Sequence, residues 1–338
     1  MMSSYLIGGD IGGTKILLQA AEPEDGGVKV LCERRYASRE YASFSDVLAD
    51  FLKQPQLLEP GRNPVAACFA VAGPITEQGA SLTNLPWLMN TAELASTFSI
   101  PLVKLINDFA AVAMSVEVLP ERDLITLQAG KPIVGETRVA LGAGTGMGGA
   151  WLSWQGDGYT ALPSEAGHMD FAPADELQDR LLRYLRREFG HVSVERVLSG
   201  PGLTNIFNFL SSCPETGTGK ALASEQMTLE ADCAPRIAEL ASNGHPVALG
   251  AMNLFVAIYG AYAGNLALAG LTRGGVYVAG GMAPRIISRL KEDGFLKAFR
   301  DKGRFASLMQ EIPVHIVMNP SAGLLGAVHE ARRMLQKR

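Results

Sequence analysis

Cysteine is scarce in this sequence. The 338-residue chain holds four, Cys32, Cys68, Cys213 and Cys233, and no two of them form a C-x-x-C pair. That scatter argues against a zinc ribbon or a disulfide framework and suits a reducing, cytoplasmic setting. An excess of charge is missing as well. The 30 Lys and Arg against 34 Asp and Glu leave a formal net charge of −4, so there is no electrostatic footprint for nucleic acid. The first residues lack the basic and long apolar regions of a signal peptide. Residues 242–272 lack any Asp, Glu, Lys or Arg. That run is long enough to span a bilayer. However, Asn253 and Asn265 interrupt it, glycines recur, and neither a second segment nor a basic flank accompanies it. The expected form is a buried core helix, with no membrane partner.

What the chain has in plenty is glycine, 37 residues, in a composition that is 47% hydrophobic and 19% charged. This fits an α/β protein, and the length exceeds what one hydrophobic core usually serves, so two domains are expected. Strands are predicted at residues 65–72, 102–106, 139–141, 276–279 and 314–318. Helices are predicted at 45–52, 108–118, 175–189, 234–241 and 324–335, and a loop at 213–220.

Two glycine turns stand out. GGDIGGTK lies between the apolar runs Tyr5-Leu6-Ile7 and Ile16-Leu17-Leu18, and VALGAGTGMGGAWLSW repeats the order strand, glycine turn, strand near residue 145. The echo suggests two duplicated halves facing across a cleft. Backbone N–H groups on such turns approach phosphate oxygens without Cβ clashes. A Walker loop is a poor fit, because Thr14-Lys15 stand in reverse order and no helix starts there. A dinucleotide fingerprint at Gly144, Gly146 and Gly149 is a poor fit too, because a strand-like AWLSW follows. The hairpin of the sugar kinase, chaperone and actin superfamily suits both sites. A plain type I′ hairpin, with glycine serving positive φ angles, is the alternative for either turn alone. A third loop, Ala279-Gly280-Gly281-Met282, favours nucleotide binding.

From residue 8 to residue 309 the chain carries, in order, GGDIGGTK, AVAGPI, LTNLPW, INDFAAVAM, GAGTGMGGA, LPSEAGHMDFAP, GHVSVERVLSGPGL, GGVYVAGGM and DKGRFASLM, with GLLGA near the C-terminus. In these stretches it resembles the bacterial glucokinases of the ATP-dependent, hexokinase-like type. The resemblance implies a two-lobed actin-like, ribonuclease-H-like α/β fold with its active site in the inter-lobe cleft. The lobes would comprise residues 1–118 plus 319–338 and residues 119–318. It implies transfer of a phosphoryl group from ATP to the 6-hydroxyl of D-glucose, with Mg²⁺, in a cytoplasmic homodimer. Asp108 would be the general base and a sugar ligand, with Asn107, Glu165, His168 and Glu195 binding further sugar hydroxyls. Gly9, Asp10, Ile11, Gly12, Gly13 and Thr14 would form the first phosphate hairpin, and Gly142, Gly144, Thr145 and Gly146 the second. Gly280 and Gly281 would lie by the adenosine, and Asp10 would hold Mg²⁺ through water. Ser164 and Ala166 stand where the family pattern leads one to expect glycine, while the Glu-to-His spacing is kept. The related ROK proteins carry a cysteine-rich zinc motif after Glu-x-x-His, and here no cysteine follows until Cys213.

Read alone, Asp108 is the N-cap of the helix that begins at Phe109, and the two roles are compatible. A sugar is dense in hydroxyls, so its site needs convergent carboxylates, an amide and an imidazole. Three alternatives stay open at this level: a kinase for another hexose, a kinase using another phosphoryl donor, and a non-catalytic sugar- or ATP-sensing protein of the same fold.

Overall fold

A computed structural model describes residues 4–73, 75–76, 79–82, 85–212 and 233–336. The predicted loop at 213–220 lies outside the described residues, as do Pro74, Thr83 and Asn84 of the motifs quoted above. By its contacts the chain divides into two compact units. The first is Met1–Glu121, Tyr159–Pro163 and Asn319–Arg338, and the second is Arg122–Gly158 and Ser164–Met318.

The first unit is built on strands β1 (Ser4–Ile11), β2 (Lys15–Glu24), β3 (Gly27–Ala37), β4 (Asn63–Val71) and β8 (Val103–Asn107). Between the last two lie the short strands β5 (Ile75–Thr76), β6 (Gly79–Ser81) and β7 (Leu88–Met89), which pair among themselves. The main sheet runs β3-β2-β1-β4-β8, antiparallel from β1 to β3 and parallel from β1 through β4 to β8. Successive residues on a strand point to opposite faces. In β1, Tyr5 and Ile7 pack with Phe44, Val47 and Phe51 of helix α1 (Phe44–Phe51), while Leu6 packs with Ala331 of the C-terminal helix Ala322–Gln336. Both faces are therefore covered, so β1 and β4 read as continuous apolar runs. Gly326 lets that C-terminal helix approach helix α3 (Asp108–Ser115), because a Cβ there would collide with the carbonyl of Ala111. Helix α2 (Thr91–Phe98), capped by Asn90, joins the short strands to β8.

The second unit repeats the plan. Its strands are β9 (Leu124–Gln128), β10 (Arg138–Ala143), β11 (Met147–Trp154), β13 (Gly275–Ala279) and β14 (Val314–Val317), in the order β11-β10-β13-β14-β9, with β12 (Tyr159–Ser164), whose first five residues group with the first unit, pairing beside β11. A hairpin, β10–β11, is followed by two parallel neighbours, β13 and β14, as β1–β2 is followed by β4 and β8. The echo of the two glycine turns thus extends to strand topology. Most of the core of this unit is helical: α4 (Glu176–Phe189), α5 (Gly200–Ser211), α6 (Ala234–Ser242) and α7 (Pro246–Gly270) pack with later helices over Val139, Leu141, Val276 and Val278.

Helix α7 is the uncharged stretch. Among the described residues it is the one helix long and apolar enough to cross a membrane. It is a core helix, with Phe255, Tyr259, Ala263 and Leu266 buried and the two asparagines, Asn253 and Asn265, turned outward.

Several elements escape the sequence reading, among them β3, β9, β12, α2, α5 and the helix Asp293–Arg300. Strand β3 is an edge strand whose Glu33, Arg34 and Arg35 face water, so its pattern is not apolar enough to announce it. Helix α2 is short and carries few apolar residues, whereas α5 has Leu203, Ile206, Phe207 and Leu210 at helical spacing and is legible in the sequence although absent from the predicted helices. In addition, α3 ends at Ser115, three residues before the predicted end.

Candidate active site

In the first unit, Ile11 of β1 is level with Val71 of β4, and Val71 is level with Asn107 of β8. The hairpin after β1 and the junction after β8 therefore share one edge of the sheet, roughly 10 Å apart at the usual interstrand spacing. This is the carboxyl end of parallel strands, where open α/β sheets place ligands.

At the junction the cap differs from expectation. The N-cap of α3 is Asn107, not Asp108. Asn107 Oδ1 accepts from Phe109 N at 2.9 Å and from Ala110 N at 3.2 Å, and Asp108 Oδ1 also accepts from Phe109 N at 2.9 Å. The helix thus begins at Asp108, and two side chains serve its first orphan amides. Since the cap engages Asn107 Oδ1, the polar capacity that Asn107 retains for a ligand is its Nδ2 donors. Asp108 is half-buried at this seam.

The first hairpin closes through Gly12 N donating to Lys15 O at 3.0 Å, and Ser38 Oγ donates to Gly12 O at 2.9 Å. Gly12, Gly13, Gly144 and Gly146 are not among the glycines with positive φ. The type I′ explanation of their glycines therefore fails for both hairpins. What these residues supply is bare backbone, and Gly144 has open space where a Cβ would be. Burial pushes the Asp10 carboxyl above the usual carboxylate range, and the Lys15 ammonium opposes that rise. Gly323, at the start of the C-terminal helix, lies beside it: a Cβ there would stand 3.3 Å from Asp10 Oδ2.

In the second unit the other two glycine sites are neighbours. Gly142 is level with Ala279, and a Cβ on Gly142 would meet Gly280 N at 2.9 Å. Gly280 has φ +81° and leaves no room for a Cβ against Ala143 O, so only glycine fits. The hairpin closes through Gly144 N to Gly146 O at 2.8 Å. From the other side, Gly200 N, at the first turn of α5, donates to Gly144 O at 2.8 Å. Ser199 caps that helix, with Oγ accepting from Gly202 N at 2.9 Å.

Glu165 and His168 flank a single turn, in which His168 N donates to Glu165 O at 3.0 Å, and both side chains are exposed. Three bonds fix the turn. Tyr262 Oη of α7 donates to Ala166 O at 2.6 Å, Ser164 Oγ donates to Gly149 O at 2.8 Å, and Ser164 Oγ accepts from Ala166 N at 3.3 Å. Ser164, one of the two departures from the expected glycines, thus ties the turn to β11. Residues 169–171 then pair with 192–194, through Val194 N to Met169 O at 2.8 Å and Phe171 N to Val192 O at 3.0 Å. That pairing brings Glu195 to the same place. Glu195 is half-buried, and its Oε2 accepts from Met147 N, the first residue of β11, at 2.9 Å.

The structure therefore brings Asn107, Asp108 and Asp10 to one sheet edge in the first unit. It brings Glu165, His168, Glu195, the second hairpin and Gly280 together in the second. Sequence reasoning missed Met147, Ser199 and Tyr262. A serine followed by Gly-Pro-Gly is a legible helix start, so Ser199 was within reach. Met147 and Tyr262 act through a backbone amide and a buried hydroxyl, and neither carries a sequence signal.

Duplicated hairpin-plus-parallel-strand sheets, each opening on a glycine turn, define a sugar kinase fold. A glucokinase from an Antarctic psychrotroph superposes with a TM-score of 0.83 at 30% identity, covering 98% of this chain and 99% of that one. The Glucokinase family profile matches residues 7–334, and the chain belongs to that family. A glucokinase of Trichormus variabilis is 40% identical over 344 residues, covering 98% of this chain and 100% of its own. One of Yersinia pestis is 37% identical over 334 residues, covering 99% and 98%.

Proposed function

We propose that the protein phosphorylates D-glucose at its 6-hydroxyl with ATP as donor. The observation that carries this reading is the family match across residues 7–334, over which Asp108 stands intact at the end of a parallel strand. Asp108 takes the proton as O6 attacks the γ-phosphorus, the bond from that phosphorus to the β,γ-bridging oxygen breaks, and ADP leaves. Asn107 Nδ2, Glu165, His168 and Glu195 read the other hydroxyls, each with the polarity a hydroxyl needs. The amides of Gly13 and Thr14 in the first hairpin and of Thr145 and Gly146 in the second, which are not the ones that close the turns, meet the phosphates. Phosphoryl transfer is mostly positioning and charge neutralisation, and fixed backbone donors supply both.

The residues present suit Mg²⁺. Among the described residues no cluster of three or more His, Cys, Asp or Glu exists. The carboxylate nearest the first hairpin is Asp10; burial pushes its pKa above the usual carboxylate range, and a bound cation would favour its ionised form. One carboxylate plus water and substrate oxygens is the way Mg²⁺ is commonly held. When bound, Mg²⁺ supplies charge neutralisation on the phosphates. Buried thiols at Cys32 and Cys68, both free, support a cytoplasmic setting. A homodimer is part of the reading, and sedimentation equilibrium tests it.

A coupled assay across glucose, mannose, fructose and galactose, with ATP and polyphosphate as donors, tests the activity. Glucose with ATP is expected to dominate in k_cat/K_M, and EDTA is expected to abolish turnover until Mg²⁺ is restored. Faster turnover with another sugar or donor overturns the assignment. ATP hydrolysis that no sugar accelerates points to the sensing alternative.

A further inference from the structure

The geometry points to a second duty for Glu195: it is a positioning residue that fixes the phosphate hairpin of its own unit, so that one carboxylate serves both the sugar and the nucleotide. The inference rests on the reading of Glu195 as a sugar ligand given above.

Three observations carry it. Glu195 Oε2 accepts from Met147 N at 2.9 Å, and Met147 is the residue at which the hairpin Gly144–Gly146 enters β11. The space beside Gly146 is filled by the same carboxylate, which leaves no room for a Cβ there. The segment that carries Glu195 also holds the other arm of the hairpin. Ser199 Oγ donates to Glu195 O at 2.7 Å, and Gly200 N donates to Gly144 O at 2.8 Å. The hairpin is thus gripped at Gly144 by the start of α5 and at Met147 by the carboxylate of Glu195.

A carboxylate has two oxygens and about four acceptor sites. With Oε2 committed to Met147 N, Oε1 stays available to a sugar hydroxyl. A sugar bound there orders the side chain and thereby the hairpin, and a nucleotide that orders the hairpin orders the carboxylate for the sugar. Such linkage is reciprocal in binding free energy. Glucose and nucleotide are therefore expected to bind cooperatively within this unit, with Glu195 as the shared part.

Two substitutions separate this duty from sugar binding. In Glu195→Gln the amide oxygen replaces Oε2 on Met147 N, while the second sugar-facing acceptor is lost. In Glu195→Ala both contacts are lost. Calorimetry with ADP and no sugar, and separately with glucose and no nucleotide, reads the two arms. The expected result is that Gln weakens glucose roughly ten-fold and leaves ADP unchanged, whereas Ala weakens both by about that factor. Gly146→Ala supplies the reverse test. Its Cβ displaces the carboxylate, so glucose affinity falls although no nucleotide is present. A phosphate-contacting glycine with no link to Glu195 would leave it unmoved. Melting curves check that each variant is folded. Unchanged ADP affinity in Glu195→Ala, or unchanged glucose affinity in Gly146→Ala, overturns the positioning duty and leaves Glu195 a sugar ligand alone. Unchanged glucose affinity in Glu195→Gln with weakened ADP in Glu195→Ala removes the sugar role instead, and with it the shared carboxylate.

Discussion

At Asn107 and Asp108 two adjacent side chains serve one helix end, and their duties separate by chemistry. The cap needs an acceptor, which Asn107 Oδ1 supplies to Phe109 N and Ala110 N. The proposed sugar contact needs a donor, which only Nδ2 can supply. Asn107→Asp is therefore expected to keep the cap and the melting temperature while raising the glucose K_M. Asn107→Ala should do both kinds of damage, with about 1 kcal/mol lost from the cap. Equal K_M values for wild type and Asn107→Asp would place the sugar elsewhere. At Asp108, conversion to Asn preserves shape and the contact to Phe109 N but removes the base. Turnover should fall ~10²–10⁴-fold with glucose affinity retained. A folded Asp108→Asn enzyme with normal k_cat would end its assignment as the base.

At the scale of elements, the turn that carries Glu165 and His168 is held from behind. Tyr262 lies on α7, and its buried hydroxyl reaches the carbonyl of Ala166 between Glu165 and His168. Burial pushes that phenol well above its ordinary range, so it is a donor at any working pH. Tyr262→Phe leaves the Ala166 carbonyl without this partner, at a cost of about 1–2 kcal/mol in unfolding free energy. Because the turn carries two proposed sugar ligands, the glucose K_M should rise while the ADP affinity stays. Steady-state kinetics beside urea unfolding checks both. A stability loss without any change in K_M would make Tyr262 a core residue only. The long uncharged helix therefore has a purpose beyond filling the core: it sets the position of a turn that the sequence marks only by Glu-x-x-His.

For the whole molecule, pH dependence follows from a histidine that takes no part in the proposed chemistry. His329, in the C-terminal helix, is held down to about 4 by burial, helped by Arg333 and Arg332 and opposed by Glu330. Its folded value lies below the unfolded value of about 6.5, so the native state binds fewer protons between the two. Stability is therefore full above the unfolded value and is lost as pH falls from about 6.5 towards 4, by at most roughly 3 kcal/mol. Asp10 shifts the other way, upward, so its contribution falls as pH rises through the carboxylate range and partly offsets this slope. Urea midpoints of wild type and His329→Gln between pH 4 and 7 measure the effect, and the variant should give the flatter profile. Parallel profiles would remove His329 as the source.

The sequence by itself determined the two glycine hairpins, the parallel strands with their apolar runs, the core helix without charge, and the seam where Asp108 stands. These are local signals: period, turn chemistry and motif spacing are written in consecutive residues. Only the tertiary structure decided that Asn107 and not Asp108 is the cap, since that depends on which side chain turns back onto the amides. It alone decided that the hairpin glycines lack positive φ, and that Ser164, Ser199, Tyr262 and Met147 tie turn, helix and hairpin together. Those links join residues distant in sequence, through carbonyls and amides that every residue type possesses. A backbone group has no letter in the sequence, so its partner becomes visible only when the chain is folded.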